Sequence, residues 1–160
     1  STPRPSTSPR STSKFLLQLA EHVAETLDIG PGTRVFEVDC GRGEFLFPLH
    51  QNGYIVGGID GDAEAIKAAI AAMPDGIFQV GMASALDPAV PWDVVVCRSL
   101  AGAPSNDYIR GLVARMYAKA THAIALIDVP EPNHQPLMHA ITEAGAQAIE
   151  IKGTNIFARV

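Results

Sequence analysis

The chain has 160 residues, 47% of them hydrophobic and 18% charged, enough apolar material for one packed core and too much for a disordered chain. No apolar run reaches the ~18 residues that span a bilayer, no charged-then-apolar leader is visible, and two cysteines are too few for a disulfide scaffold, so a cytoplasmic, reducing setting is expected. The net charge of −5 is uneven: residues 1–14 hold Arg4, Arg10 and Lys14 and no acid, leaving nine basic against seventeen acidic residues beyond them, which excludes a phosphate-backbone footprint.

Residues 1–13 are five Ser, three Thr, three Pro and two Arg, and cannot bury enough apolar area to offset the entropy of ordering them. They read as a disordered tail or linker, with a phosphorylated docking element as the less favoured reading. The opening Ser in place of Met reads as a chain processed or excised from something longer. Residues 14–160 read as a single domain.

From Lys14 the pattern turns regular. Phe15, Leu16, Leu19, Val23 and Leu27 recur at helical spacing and predict an amphipathic helix ending near 28–30. After a Pro31-Gly32 turn, 34–38 is a short β-branched and aromatic strand, broken by Gly41 and Gly43, and 44–51 a short helix. Pro48 near its start reads either as a helix that begins late or kinks or, the favoured reading, as a proline tolerated in the first turn. A second strand covers 55–59, and Asp62 caps a helix of strong formers over 63–72. Strands follow at 77–80 and 93–97, a helix at 108–120, a strand at 123–129, a helix at 137–144 and strands at 148–152 and 156–160.

Strands apolar on both faces and alternating with helices predict an α/β, Rossmann-like three-layer sandwich. Its sheet has seven strands and is mostly parallel. The last two strands are too close in sequence for a crossover, so a C-terminal hairpin contributes one antiparallel strand.

The segment from Val35 to Glu44 runs from a buried strand through a Gly-x-Gly turn into a helix. Glycine suits a backbone that must turn tightly and approach a ligand closely. A dinucleotide fingerprint needs a third Gly where Leu46 stands, and no Gly-Lys-Ser/Thr follows for a P-loop. What remains is Glu37 on the strand, Gly41 and Gly43 in the turn, and Asp60 at the end of the next strand. Asp60 lies seventeen residues past Gly43, placed to accept from both hydroxyls of a ribose.

Over about residues 15–160 the chain resembles the class I S-adenosylmethionine-dependent methyltransferases. Phe36-Glu-Val-Asp-Cys-Gly-Arg-Gly43 resembles that family's first motif, and Gly58-Ile-Asp60 its ribose-binding second. Val80-Gly-Met-Ala83 falls where the adenine segment sits, and Trp92-Asp-Val-Val-Val-Cys97 resembles the fourth motif. The resemblance implies S-adenosylmethionine as cofactor, held by Glu37, Asp39, Gly41, Gly43, Asp60, Met82, Ala83 and Cys97. Asp39 replaces the family's first turn glycine; it either caps N–H groups of the turn or meets the methionine end of the cofactor. Met82 replaces the adenine-binding acid and offers the ring packing without an acceptor.

For the methyl acceptor, Arg98 and Ser99 after the fourth strand and Asp128, Glu131 and His134 after the fifth are the candidates, set against a reading as solvated loop residues. Asp128 and Glu131, three apart, are placed to face one cleft. His50 and His122 read as structural and His139 as a surface residue. Cys40 and Cys97 end neighbouring strands; a metal site would need more ligands, so buried free thiols are expected. The implied function is methyl transfer to a small-molecule oxygen, nitrogen or carbon nucleophile. With no cap over the acceptor side, the alternative is a catalytically lost module that acts through a protein partner at that open face.

Overall fold

The computed structural model describes residues 9–98, 100–103 and 105–160. The chain runs through α1 (Pro9–Leu27), β1 (Arg34–Val38), α2 (Leu46–Gln51), β2 (Ile55–Asp60), α3 (Ala63–Ala72), β3 (Ile77–Val80), β4 (Trp92–Cys97), α4 (Asn106–Lys119), β5 (Ala120–Leu126), α5 (His134–Ala144), β6 (Ala148–Lys152) and β7 (Asn155–Arg159). Short 3₁₀ turns lie at Ala83–Ala85, Leu100–Gly102 and Glu131–Asn133.

The tail expected over 1–13 falls partly outside the described residues; α1 already starts at Pro9, so 9–13 are helical. The buried stripe of α1 is Leu16, Ala20, Val23 and Leu27, and Phe15 is 62% exposed. Adjacent helical residues lie about 100° apart, so Leu16 on the stripe turns Phe15 away from it. In α2 the helix begins at Leu46, which puts Pro48 in the first turn, where its missing N–H has no helical partner to lose. Asp62 caps α3 as its position predicts, its Oδ1 accepting from the N–H groups of Glu64 (3.0 Å) and Ala65 (3.2 Å).

The seven strands form one sheet in the order β3-β2-β1-β4-β5-β7-β6. All pairs are parallel except those of β7, which runs antiparallel to both β5 and β6. The alternation of side chains sorts the core into two halves. Val35, Val94, Val96, Ala123, Ala125 and Phe157 face the layer that contains α1 and α2. Phe36, Val38, Val95, Ile124 and Leu126 face α4 and α5. Cys40 packs in the first half and Cys97 in the second, on opposite faces of the sheet, so the two thiols are not a pair.

β1 and β4 lie side by side at the sheet centre, Val38 opposite Cys97. From β1 the chain winds outward through β2 to β3, then returns to β4 and winds the other way. In open α/β sheets, ligands bind at the carboxyl ends of the strands flanking such a reversal.

Candidate functional site

At the carboxyl end of β1 the backbone enters the left-handed region three times within five residues, at Asp39 (φ 56°), Gly41 (φ 57°) and Gly43 (φ 79°). Aspartate is among the side chains that tolerate this region best, so the turn survives where the motif prefers glycine. At Gly43 a Cβ would lie 2.5 Å from Met73 Cε and 3.4 Å from Ala69 Cβ, and the missing side chain lets the turn close against α3. At Gly41 a Cβ would meet open space, so the glycine serves the backbone angle and leaves the outer side of the turn clear.

Asp60 locks this turn to β2. Its Oδ2 accepts from Gly41 N–H and its Oδ1 from Asp62 N–H, both at 2.8 Å. A carboxylate offers about four acceptor sites, so two remain for a ligand. Gly81 N–H donates to the Asp60 carbonyl (2.9 Å), which draws the end of β3 alongside. Met82 follows, 66% exposed, with its sulfur 3.1 Å from where a Gly61 Cβ would stand. The structure therefore gathers Gly41, Asp60 and Met82 along one rim, while Ala83 is turned into the core.

Glu37 lies beneath this rim with no exposed surface. Its Oε2 accepts from Arg98 Nε at 2.6 Å, and its buried Oε1 has no hydrogen-bond partner among the described residues. Burial pushes its carboxyl up to about 7 against the opposing charge and hydrogen bond of Arg98, and the negative charges of Asp39 and Asp60 add to the rise. Burial, then the charges of Glu37 and Asp60, push the neighbouring Cys40 thiol up to about 12, which leaves it a protonated packing group. The Arg98 guanidinium sits 5.3 Å from the Phe45 ring centroid.

Of the other sequence candidates, Cys97 is fully buried in the α4/α5 half of the core. Ser99 lies outside the described residues. Asp128 is exposed, in the left-handed region at φ 55°, with its N–H on Asn155 Oδ1 (2.9 Å). Glu131 is exposed in the Glu131–Asn133 turn. His134 is half-buried and its Nε2 donates to the Val129 carbonyl (2.9 Å), which leaves Nδ1 as the acceptor nitrogen. His50 pairs with Asp75 (2.6 Å), His122 with the Leu27 carbonyl (3.0 Å) and His139 with Glu143 (2.9 Å), all in structural or surface settings.

Two residues escaped the sequence reading. Phe45 is fully buried and forms the platform under Arg98. Tyr108 stands in the first turn of α4, its N–H on the capping Ser105 Oγ (3.1 Å). Burial, then the charges of Asp39 and Cys97, raise its phenol pKa. The signal was present in part: a helix that follows β4 must start at the carboxyl edge of the sheet, so its first turn borders the crevice.

A cavity of about 740 Å³ opens on the outer side of the same turn, between α1, α2 and α3, lined by Leu17, Arg42, Gly43, Phe47, Ala68 and Ala72. Neither Asp60 nor Met82 lines it.

The architecture is that of the class I S-adenosylmethionine-dependent methyltransferases. Magnesium protoporphyrin IX methyltransferase (ChlM) from Synechocystis PCC 6803, solved with bound S-adenosylmethionine, superposes with a TM-score of 0.78 at 16% identity, over 99% of this chain and 86% of that one. CalS10, an amino pentose methyltransferase from Micromonospora echinaspora, superposes at 0.73 with 15% identity, over 92% and 91% of the two chains. In sequence, 53 residues are 40% identical to the 23S rRNA (uracil(1939)-C(5))-methyltransferase RlmD of Methylococcus capsulatus, which is 33% of this chain and 12% of that protein. No protein-family model matches the chain.

Proposed function

We propose that this domain binds S-adenosylmethionine and transfers its methyl group to an oxygen, nitrogen or carbon nucleophile on a small molecule. The observation that carries the reading is the Gly41–Asp60 lock at the β1/β4 switch point, with acceptor capacity left over on Asp60 and Glu37. The donor set fits the cofactor. Asp60 keeps two acceptor sites for the ribose hydroxyls, exposed Met82 offers a soft apolar surface for the purine, and Glu37 Oε1, which no described residue pairs, suits an ammonium donor.

When bound, the cofactor supplies a methyl carbon already activated by the sulfonium, so the chain's task is to position the acceptor and, where it must lose a proton, to receive it. His134 holds Nδ1 as an acceptor, and Asp128 is an exposed carboxylate at the end of β5. Both are proposed as proton acceptors on the acceptor side. Glu131, exposed on the Glu131–Asn133 turn, is proposed as a further candidate on that side. Tyr108 stays a neutral phenol and is proposed to orient the acceptor rather than to act as its base.

Calorimetric titration with S-adenosylmethionine and S-adenosylhomocysteine tests the reading. Micromolar binding is expected, weakened at least about a hundredfold in Asp60→Ala, because that change removes the ribose acceptor and the anchor of the Gly41 turn together. Asp60→Asn, which keeps one acceptor oxygen, is expected to fall in between. Absence of binding to the folded chain at millimolar ligand overturns the reading.

A further inference from the structure

Arg98 entered as a candidate for the acceptor side, but its geometry ties it elsewhere. Its Nε is spent on Glu37 and its guanidinium rests beside Phe45. Glu37 sits in the middle of the sheet, opposite Gly58 of β2 and Val96 of β4, with one carboxylate oxygen paired and the other without a partner among the described residues.

A buried polar atom without a partner is rare in native proteins, since its desolvation is uncompensated. Here the carboxylate is also surrounded by its own kind: Asp39 on the turn and Asp60 at the end of β2 both act on it, and Arg98 is the cation that opposes them. Removing Arg98 leaves Glu37 with burial and two negative neighbours, all of which favour the protonated form. A protonated Glu37 would turn from an acceptor for an ammonium into a competing donor.

We infer that Arg98 is a positioning residue for cofactor binding: its Nε bond holds Glu37 as an oriented carboxylate and leaves the buried Oε1 to receive the ammonium of the cofactor's amino-acid end. This rests on the cofactor reading above and deepens it. It assigns Arg98 to the amino-acid end of the cofactor rather than to the methyl acceptor.

The charged and titratable groups around Glu37 are Asp39, Cys40, Asp60 and Arg98. Cys40 stays neutral across the accessible range, with its thiol pushed up to about 12. The unliganded Glu37 carboxyl titrates at about 7, and an ammonium binds only its ionised form, so affinity falls as pH drops through that value. Without Arg98 the titration moves upward and the loss of affinity begins at higher pH.

The test uses two probes, S-adenosylhomocysteine, which carries the ammonium, and methylthioadenosine, which lacks the amino-acid end. Both are titrated calorimetrically between pH 6 and 9 into the native chain, Arg98→Met and Arg98→Lys. The ligand's own amine titrates identically in all three, so differences between proteins report Glu37. For the native chain, S-adenosylhomocysteine affinity should fall toward tenfold per pH unit below about 7, with methylthioadenosine unaffected. In Arg98→Met the fall should begin at least one pH unit higher, again for S-adenosylhomocysteine alone, and Arg98→Lys should return it part of the way. Equal losses for both probes, or a weaker S-adenosylhomocysteine affinity with an unmoved pH profile, would reduce Arg98 to a structural role and overturn the inference while the cofactor reading stands. If the native chain binds neither probe, the cofactor reading falls and the inference with it.

Discussion

Glu37 concentrates the conflict between stability and function in one side chain. Its carboxyl is raised from 4.5 to about 7, so in that window the folded chain binds a proton that the unfolded chain does not. Stability from this group is therefore present at low pH and lost as pH rises toward 7. Glu37→Gln keeps the shape and removes the titration. The variant is expected to show a flatter dependence of thermal midpoint on pH between about 4.5 and 7 than the native chain, and to bind S-adenosylhomocysteine more weakly. A pH profile superimposable on the native one would show that Glu37 is not the titrating group. The sequence revealed Glu37 as an acid on a buried strand next to a glycine turn, but not its ion pair. Arg98 lies 61 residues away, and only the parallel pairing of β1 with β4 brings the two together.

At the scale of elements, local chemistry predicted most of what formed. The Asp62 cap could be read from sequence because capping needs a short acceptor side chain one residue before a run of helix formers. Asp62→Ala is expected to cost about 1 kcal/mol in urea unfolding, and Asp62→Gly less. No change on Ala substitution would show the cap to be redundant. Boundaries were less legible. The helix read as 108–120 starts at Asn106, because Ser105 caps it, and β5 takes over at Ala120. Lys119 closes that helix from within the fold, its Nζ donating to the carbonyls of Asp87 (2.7 Å) and Val90 (2.8 Å), with the Phe36 ring centroid 4.8 Å away. A lysine so deeply enclosed has no signature in sequence, since its partners belong to a loop about thirty residues earlier. Lys119→Met removes the donor and leaves two carbonyls to be satisfied, which is expected to cost about 2–3 kcal/mol on the same assay.

Across the whole molecule, the two halves of the core share one sheet, so they are expected to melt together. Val94 and Val95 are both fully buried but face opposite helical layers. Replacing either with Ala should cost about 2 kcal/mol. In both variants the fluorescence of Trp92, the single tryptophan, should follow the same transition as the far-ultraviolet circular dichroism. Separate transitions would mean that the layers unfold independently.

The sequence alone determined the alternation of strands and helices, the antiparallel C-terminal pair and the glycine turn that precedes Asp60. Each depends on neighbours a few residues apart: period-two and period-3.6 patterning, a connection too short to cross the sheet, and backbone angles that favour glycine or aspartate. Tertiary structure decided the rest. The insertion of β7 between β5 and β6, the separation of Cys40 from Cys97 onto opposite faces and the capture of Arg98 by Glu37 depend on register between distant strands. A residue on a strand can be assigned to one of two faces from its own segment, but which partner it meets there is set by the sheet as a whole.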